Sequence, residues 1–598
     1  MRTKSKAFKR ITSFLCVTAL LLAGFGEKVK SADAAKKISL NKTKVVMQSG
    51  ESFKLKVKNA SKASITFSSS KEKIAVVNSK GLIKAKKQGN ATITVKIEIG
   101  GEISKKTCKV IVKKKEVQEE KPFVANDYVP EGYAPSYKSM EENNPLLTNS
   151  FACDPTAMVY DGRVYVYMTN DSQQYEKGEH KKDNTYGYIN SLHIISSDDL
   201  VNWTDHGTFQ ISGEGGVCSW VNCCWAPSAV HKTVDGKEKF YVYFTNGGWS
   251  MGVVEADSPL GPFRDIKGEP LYISGQDNDS KATALDPAVF IDDDGSAYIV
   301  YGGTTGGTRL RKLNSDMMSF ASDPIDLEAP YFFEASWLNK INGKYYFSYC
   351  SDWNKRSGDQ ADLGLCSIAY MTADSPEGPY TYAGEILPNC GTAFDDVWGN
   401  NHHSIINFNG QYYIFYQART LETAMGIGLG YRSTHINKLT INGDGTIEKV
   451  VQDRKGIDQI KNFDPYRETL GTTAWNTGGM NAIHFGKKSK CVEEGAYMET
   501  AVSKYYQYSW IGIKKADFGE TSPAFFQATM EGKPNTTATL SVRTDSLEGT
   551  ELAKMTISFD ADGKGVLNEV VAPVTGVHDL YLVFDEYVKD FKTWKFVR

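Results

Sequence analysis

Between residues 144 and 450 the chain repeats one pattern five times. Each unit has a polar or acidic residue, a short apolar strand, a dipeptide ending in glycine, and an aromatic strand. The units run from Asp154 through Asp161-Gly162, from Trp225 through Asp235-Gly236, from Asp286 through Asp294-Gly295, from Glu334 through Asn342-Gly343, and from His402 through Asn409-Gly410. Asp-Gly and Asn-Gly are the dipeptides of tight β-hairpins, because both positions accept positive φ. Hairpins recurring every fifty to seventy residues imply radial repetition. The expectation is an all-β chain whose residues 127–454 form a five-bladed β-propeller.

The flanking segments differ in texture. Lys4, Lys6, Lys9 and Arg10 precede a short apolar run, Ile11 to Phe25, and then Ala32-Asp33-Ala34. This is the pattern of a secretory signal peptide over residues 1–34, and the run is too short for a comfortable membrane span. A secreted protein, extracellular or at the cell surface, is expected. Residues 37–112 alternate in short strand-like runs such as Phe53-Leu55-Val57, Ile65-Phe67 and Ile93-Val95-Ile97. The stretch Ser68 to Lys96 resembles the bacterial Ig-like domain of group 2, which implies a β-sandwich acting as a spacer, adhesion or wall-proximal module. Residues 113–126 are charged and aperiodic and read as a linker. Residues 455–598 return to strand-like runs, at Tyr508-Trp510-Ile511, Ala524-Phe526, Thr539-Val542 and Leu580-Val583, and predict a second sandwich.

Composition narrows the partners. A net charge of -2 provides no field that would select nucleic acid. The 32 Tyr and 10 Trp suit strands and also suit flat faces for stacking sugar rings. The 10 Cys are dispersed, with no CxxC pair recurring at zinc spacing, so buried thiols with one or two bridges are expected rather than a metal or thiol centre.

The innermost strand of a propeller blade points at the central axis. The first residue of each repeat, namely Asp154, Trp225, Asp286, Glu334 and His402, should therefore converge on an axial pocket. Glycosidic hydrolysis needs one carboxyl protonated and a second ionised. Crowded carboxylates repel one another, which raises at least one pKa and supplies the acid. Each residue also has a plainer reading: Asp-Pro as a turn, Trp225 as core, His402 as a structural histidine. The repeat phase favours the site.

The stretches Ala152-Cys153-Asp154-Pro155, Trp225-Ala226-Pro227, Leu285-Asp286-Pro287-Ala288, Phe333-Glu334-Ala335-Ser336-Trp337 and Gly399-Asn400-Asn401-His402-His403-Ser404 resemble glycoside hydrolase family 43. The resemblance implies inverting hydrolysis, with Asp154 as general base, Glu334 as general acid and Asp286 tuning and orienting the acid. It further implies a sugar-contacting Arg419, a subsite wall at Trp225 and a calcium ion near His402. The C-terminal segment, through Tyr466-Arg467-Glu468, Ala516-Asp517-Phe518-Gly519 and the final Trp594-Lys595-Phe596, resembles carbohydrate-binding module family 6. That implies a jelly-roll sandwich and a structural calcium to which Glu468 contributes; Tyr505, Tyr506 and Tyr508 are read either as sugar-stacking residues or as packing ones. Where that family often has a ligand-binding Asn, this chain has Asp590-Phe591-Lys592-Thr593, so a docking domain for the propeller stands as the alternative to sugar binding. The combination resembles arabinoxylan arabinofuranohydrolases, so the expected partner is a plant cell-wall polysaccharide. The expected reaction is removal of arabinofuranosyl side chains. An exo-acting β-xylosidase and a non-catalytic carbohydrate-binding surface protein are the alternatives.

Overall fold

A computed structural model describes residues 37–113, 129–482 and 503–598, except 62, 277–281, 305 and 395–397, together with two short strands, Cys491–Val492 and Gly495–Ala496. The expected signal peptide and most of the expected linker lie outside the described residues, as do the side chains of Tyr505 and Tyr506. Among the described residues no helix is long and apolar enough to cross a membrane. The chain divides into two compact units, residues 1–121 and 122–598.

The first unit is a small sandwich. Lys44–Gln48, Glu102–Lys113, Gly89–Ile99 and Ser64–Ser69 make one sheet, and Ser52–Lys54, Leu82–Ala85 and Ala75–Val77 make another. Alternate residues such as Ile93, Val95 and Ile97 point inward and are fully buried, as a period of two requires. The run Phe53-Leu55-Val57 is not one strand; it breaks after Lys54 and resumes at Val57–Lys58.

In the second unit, among the described residues, five antiparallel sheets form a ring. Their first strands are Cys153–Tyr160, Trp225–Val234, Ala288–Ile291, Phe332–Ile341 and His403–Phe408. Each packs beside the next, and the last packs against the first. The hairpin dipeptides do what their chemistry predicts. Asp161-Gly162, Asp235-Gly236, Asn342-Gly343 and Asn409-Gly410 all have positive φ at both residues, the backbone of a type I′ turn that matches the twist of its strands. Only Asp294-Gly295 departs, with Gly295 alone at positive φ in a longer turn closed from Asp292 to Ser296. The acidic tip there is held by the Lys340 ammonium, 2.6 Å from Asp292 and 2.8 Å from Asp293.

Each gap between blades has its own apolar core. Tyr167, Ile194 and Phe209 of blade one meet Val242 and Phe244 of blade two. Val166 and Ile195 of blade one meet Phe415 and Ile436 of blade five, which closes the circle. Burying each such side chain contributes roughly 1.5–3 kcal/mol, so the ring is held by apolar contacts between blades as well as by strand pairing within them.

The described residues between 455 and 598 form a two-sheet sandwich. One sheet orders Thr469–Leu470, Asp590–Val597, Phe525–Glu531 and Lys564–Val570; the other orders Asn476–Ala482, Ser503–Asp517, Val577–Phe584, Thr537–Thr544 and Glu551–Ser558. The sandwich is sewn to the propeller. Thr473–Ala474 adds a fifth strand to blade one, pairing with Trp203 and Thr204. The segment leading into blade one runs along the sandwich. There Trp510 Nε1 donates to Ala134 O at 2.9 Å, and a Cβ on Gly478 would come within 2.4 Å of that carbonyl. Lys138 is buried in this seam. Its ammonium donates to Trp475 O at 2.6 Å and Pro145 O at 3.0 Å, and burial pulls its pKa down to about 7.

Candidate active site

The inner end of each blade explains how the site is built. Asp154, Ala226, Asp286 and Ala335 all lie in the left-handed region, at φ 50, 43, 47 and 58°. Side-chain-bearing residues seldom adopt it. Each turns its N–H to the preceding blade. Asp154 donates to Gln417 Oε1 at 3.1 Å, Ala226 to Thr169 Oγ1 at 2.8 Å, Asp286 to Thr245 Oγ1 at 2.9 Å, and Ala335 to the carboxylate Oδ2 of Asp286 at 3.0 Å.

This motif corrects the phase of the repeat. Cross-strand register places Cys153 opposite Thr169 and Trp225 opposite Thr245, so the equivalent of Asp154 in blade two is Ala226. In blade four it is Ala335, and Glu334 stands one residue earlier. The register shifts just after these positions in blades one, two and four are β-bulges, which re-aim side chains and break strict alternation. Asp154 and Asp286 thus share one ring position, while Trp225 and Glu334 enter from the neighbouring one.

All five, His402 included, nevertheless line one cavity of about 410 Å³, with Tyr186, Phe333, Asn400 and Arg432 among its other walls. That size suits a small ligand. His402 Nδ1 lies between two carboxylates, 3.5 Å from Asp154 Oδ1 and 3.7 Å from Asp286 Oδ2. His403 turns away, as alternation predicts, and its Nε2 meets Ser348 Oγ at 2.7 Å. Trp225 is half-buried, and its indole N–H donates to Tyr186 O at 3.0 Å.

Arg432 is the cation of the site. Its Nη1 donates to Asp154 Oδ1 at 2.7 Å, and its Nε and Nη2 both donate to Asp171 at 2.9 Å. The guanidinium also sits 4.9 Å over the Tyr186 ring. Arg432 and Asp171 were not singled out by sequence; the one belongs to the last blade and the other follows the first hairpin, and no short motif joins them. The Arg419 guanidinium pairs with buried Glu422, Nε to Oε1 3.7 Å, and is not among the cavity walls.

The electrostatics push the carboxyls apart. Burial would raise Asp154, but Arg432 and then His402 hold it below the usual carboxylate range. Burial raises Glu334 well above that range, and the charges of Asp286 and Asp154 add to the effect. Burial also raises Asp286, against the opposing pull of His402. One carboxyl is thereby kept ionised and another protonated, which is the division that acid–base hydrolysis requires.

The calcium expectations fare differently. Calcium takes six to eight oxygen ligands. Among the described residues no group of three or more His, Cys, Asp or Glu is arranged to hold a metal. His402 Nδ1 faces the Asp154 and Asp286 carboxylates, and an imidazole nitrogen is a poor ligand for so hard a cation, so the donor set does not fit a protein-built calcium cage. Glu468 is exposed beside Arg467, which is committed to Asp198 of the propeller at 2.6 Å. Among the described residues it belongs to no group of acidic, His or Cys side chains that could hold an ion.

Fold and site together define a propeller glycoside hydrolase, and residues 142–447 match the model of glycosyl hydrolases family 43, to which the chain belongs. Residues 34–110 match the bacterial Ig-like domain, group 2. Among curated proteins, the arabinoxylan arabinofuranohydrolase of Paenibacillus polymyxa is 37% identical over 474 residues, 75% of this chain and 73% of that protein. The arabinoxylan arabinofuranohydrolase of Bacillus subtilis (strain 168) is 37% identical over 477 residues, 75% and 90%. A crystal structure of a family 43 arabinoxylan arabinofuranohydrolase from Bacillus subtilis, in complex with cellotetraose, superposes with a TM-score of 0.72 at 35% identity, covering 77% of this chain and 99% of that one.

Proposed function

We propose that the protein is an inverting α-L-arabinofuranosidase that removes arabinofuranosyl side chains from arabinoxylan. The observation that carries the reaction is the opposed tuning of Asp154 and Glu334 within one cavity. Asp154, ionised beside Arg432, takes a proton from a water as that water attacks the anomeric carbon. Glu334 gives its proton to the departing glycosidic oxygen as the C–O bond breaks. Asp286, through the N–H of Ala335, fixes the backbone that carries the acid. The similarity to two arabinoxylan arabinofuranohydrolases supports the sugar.

The test is incubation with arabinoxylan and with linear xylo-oligosaccharides, reading released monosaccharides and the anomer first formed. Arabinose from the first alone, released as the inverted anomer, is expected. Xylose from the second assigns a β-xylosidase, and no release from either favours a non-catalytic carbohydrate-binding protein.

Export through the leader, a wall-proximal role for the Ig-like domain and sugar binding by the C-terminal sandwich belong to the same proposal. Calcium rests on the family resemblance alone, through a largely water-ligated ion beside His402. A chelator that leaves both activity and melting temperature unchanged removes it.

A further inference from the structure

Behind the acid, two thiols face each other. Cys350 lies across the blade-four ladder from Glu334. Cys366 stands two residues before Ile368, where the connection from Ser351 re-enters the sheet. Their Sγ atoms are 3.3 Å apart, and both residues are fully buried. A cystine bond is about 2.05 Å long, so about 1.3 Å of approach, shared by two side chains, would close it.

The backbone on either side is pinned. Cys366 N–H donates to Asp352 O at 3.0 Å, Ser351 N–H to Ser367 O at 2.8 Å, and Ser367 N–H to Ser351 Oγ at 3.1 Å. Cys366 itself is held at φ 45°, a conformation disfavoured for a residue with a side chain. The pairing of the two sulfurs is therefore specified by the surrounding fold and not by a slack loop.

We propose that Cys350 and Cys366 are a disulfide site, oxidised as the chain folds outside a reducing compartment. The bridge ties the base of the 351–365 connection beneath Glu334. The chemistry is thiol–disulfide exchange. One cysteine thiolate attacks a sulfur of an oxidant disulfide, such as oxidised glutathione or an oxidoreductase cystine, forms a mixed disulfide and releases one oxidant thiol. The second cysteine attacks the first, closes the cystine and releases the other oxidant thiol. The two cysteines lose two protons and two electrons, and the oxidant gains them as two thiols. In the folded enzyme burial raises the Cys350 thiol well above its ordinary pKa, so the thiolate that reacts belongs to the folding chain. The closed connection carries Trp353, whose ring meets that of Trp398 at 6.3 Å. Restricting the unfolded chain across it stabilises the blade.

The experiment uses the full chain recovered after export, quenched in acid, alkylated under denaturing conditions without reductant, digested and analysed by mass spectrometry. The expected result is one cross-linked species joining the Cys350 and Cys366 peptides, which separates on reduction. Recovery of both cysteines alkylated, or either joined to another cysteine, overturns the proposal. A second arm refolds the reduced chain in a glutathione redox buffer. The oxidised protein should melt a few degrees above both its reduced form and a Cys350→Ser, Cys366→Ser double variant, and equal melting of all three overturns the stabilising role.

Discussion

The propeller axis and its seam with the C-terminal sandwich both bury aspartate beside arginine, and they use the pairing in opposite ways. At the propeller axis, Asp154, Asp171, Asp286 and Glu334 gather around one guanidinium, Arg432. At the seam with the C-terminal sandwich a single carboxylate, Asp198, is shared by Arg467 at 2.6 Å, Lys461 at 2.7 Å and Arg163 at 3.4 Å. Burial pushes Asp198 up, but the hydrogen bonds from Arg467 and Lys461 win and hold it far below the usual range. Where anions outnumber cations, one carboxyl must keep its proton and becomes a reagent. Where cations outnumber anions, the carboxylate never takes a proton near neutrality and serves as a fastener.

The largest effect that could break this contrast is at Glu334. Glu334→Gln should lower arabinose release from arabinoxylan by about 10²–10⁴-fold, with far less loss on an aryl glycoside whose leaving group needs no proton. Equal loss on both substrates removes the acid assignment. Asp286→Asn removes the like charge that raises Glu334 most after burial, so the Glu334 pKa must then fall. The alkaline limb of the pH–rate profile should move to lower pH, and a limb that stays or rises refutes the coupling. Arg432→Lys replaces a fork by a point charge that cannot serve Asp154 and Asp171 together. Asp154 then becomes easier to protonate, so activity should fail at a higher pH on the acidic side, read from kcat/KM against pH in variants with intact melting transitions. The smallest effect belongs to the seam. Asp198→Asn should cost about 1–3 kcal/mol in urea unfolding and leave the pH–rate profile unmoved. Sign follows from the depressed carboxylate: its contribution is present above the unfolded pKa and fades as pH falls through the folded one. A shifted rate profile in this variant would erase the distinction between the two regions.

Much of this was readable from residue order. The hairpin dipeptides predicted turns with positive φ at both positions, and four of five have them, because that demand is local. The axial residues were readable because repetition turns a set of weak signals into one. The finer geometry was not. Trp225 and Glu334 stand one place off the Asp154 ring and still reach the cavity, because bulges break the alternation that a strand pattern assumes. Arg432 reaches Asp154 across 278 positions of sequence, and nothing near it in the chain marks it. Arg419 carried the resemblance instead, although its own neighbour Glu422 claims it.

The strand Thr473–Ala474 makes the border between propeller and sandwich something other than a cut line. Anyone trimming the chain at residue 455 to obtain a minimal catalyst would also remove the outer edge of blade one and leave Trp203 and Thr204 without their partners. The same would hold for recombination between genes. The unit that can be transplanted whole is the propeller with its sandwich and the segment between Ala134 and Pro145, which the sandwich holds at Ala134 O and blade five holds at Asn144, whose Nδ2 donates to Ile436 O at 2.9 Å.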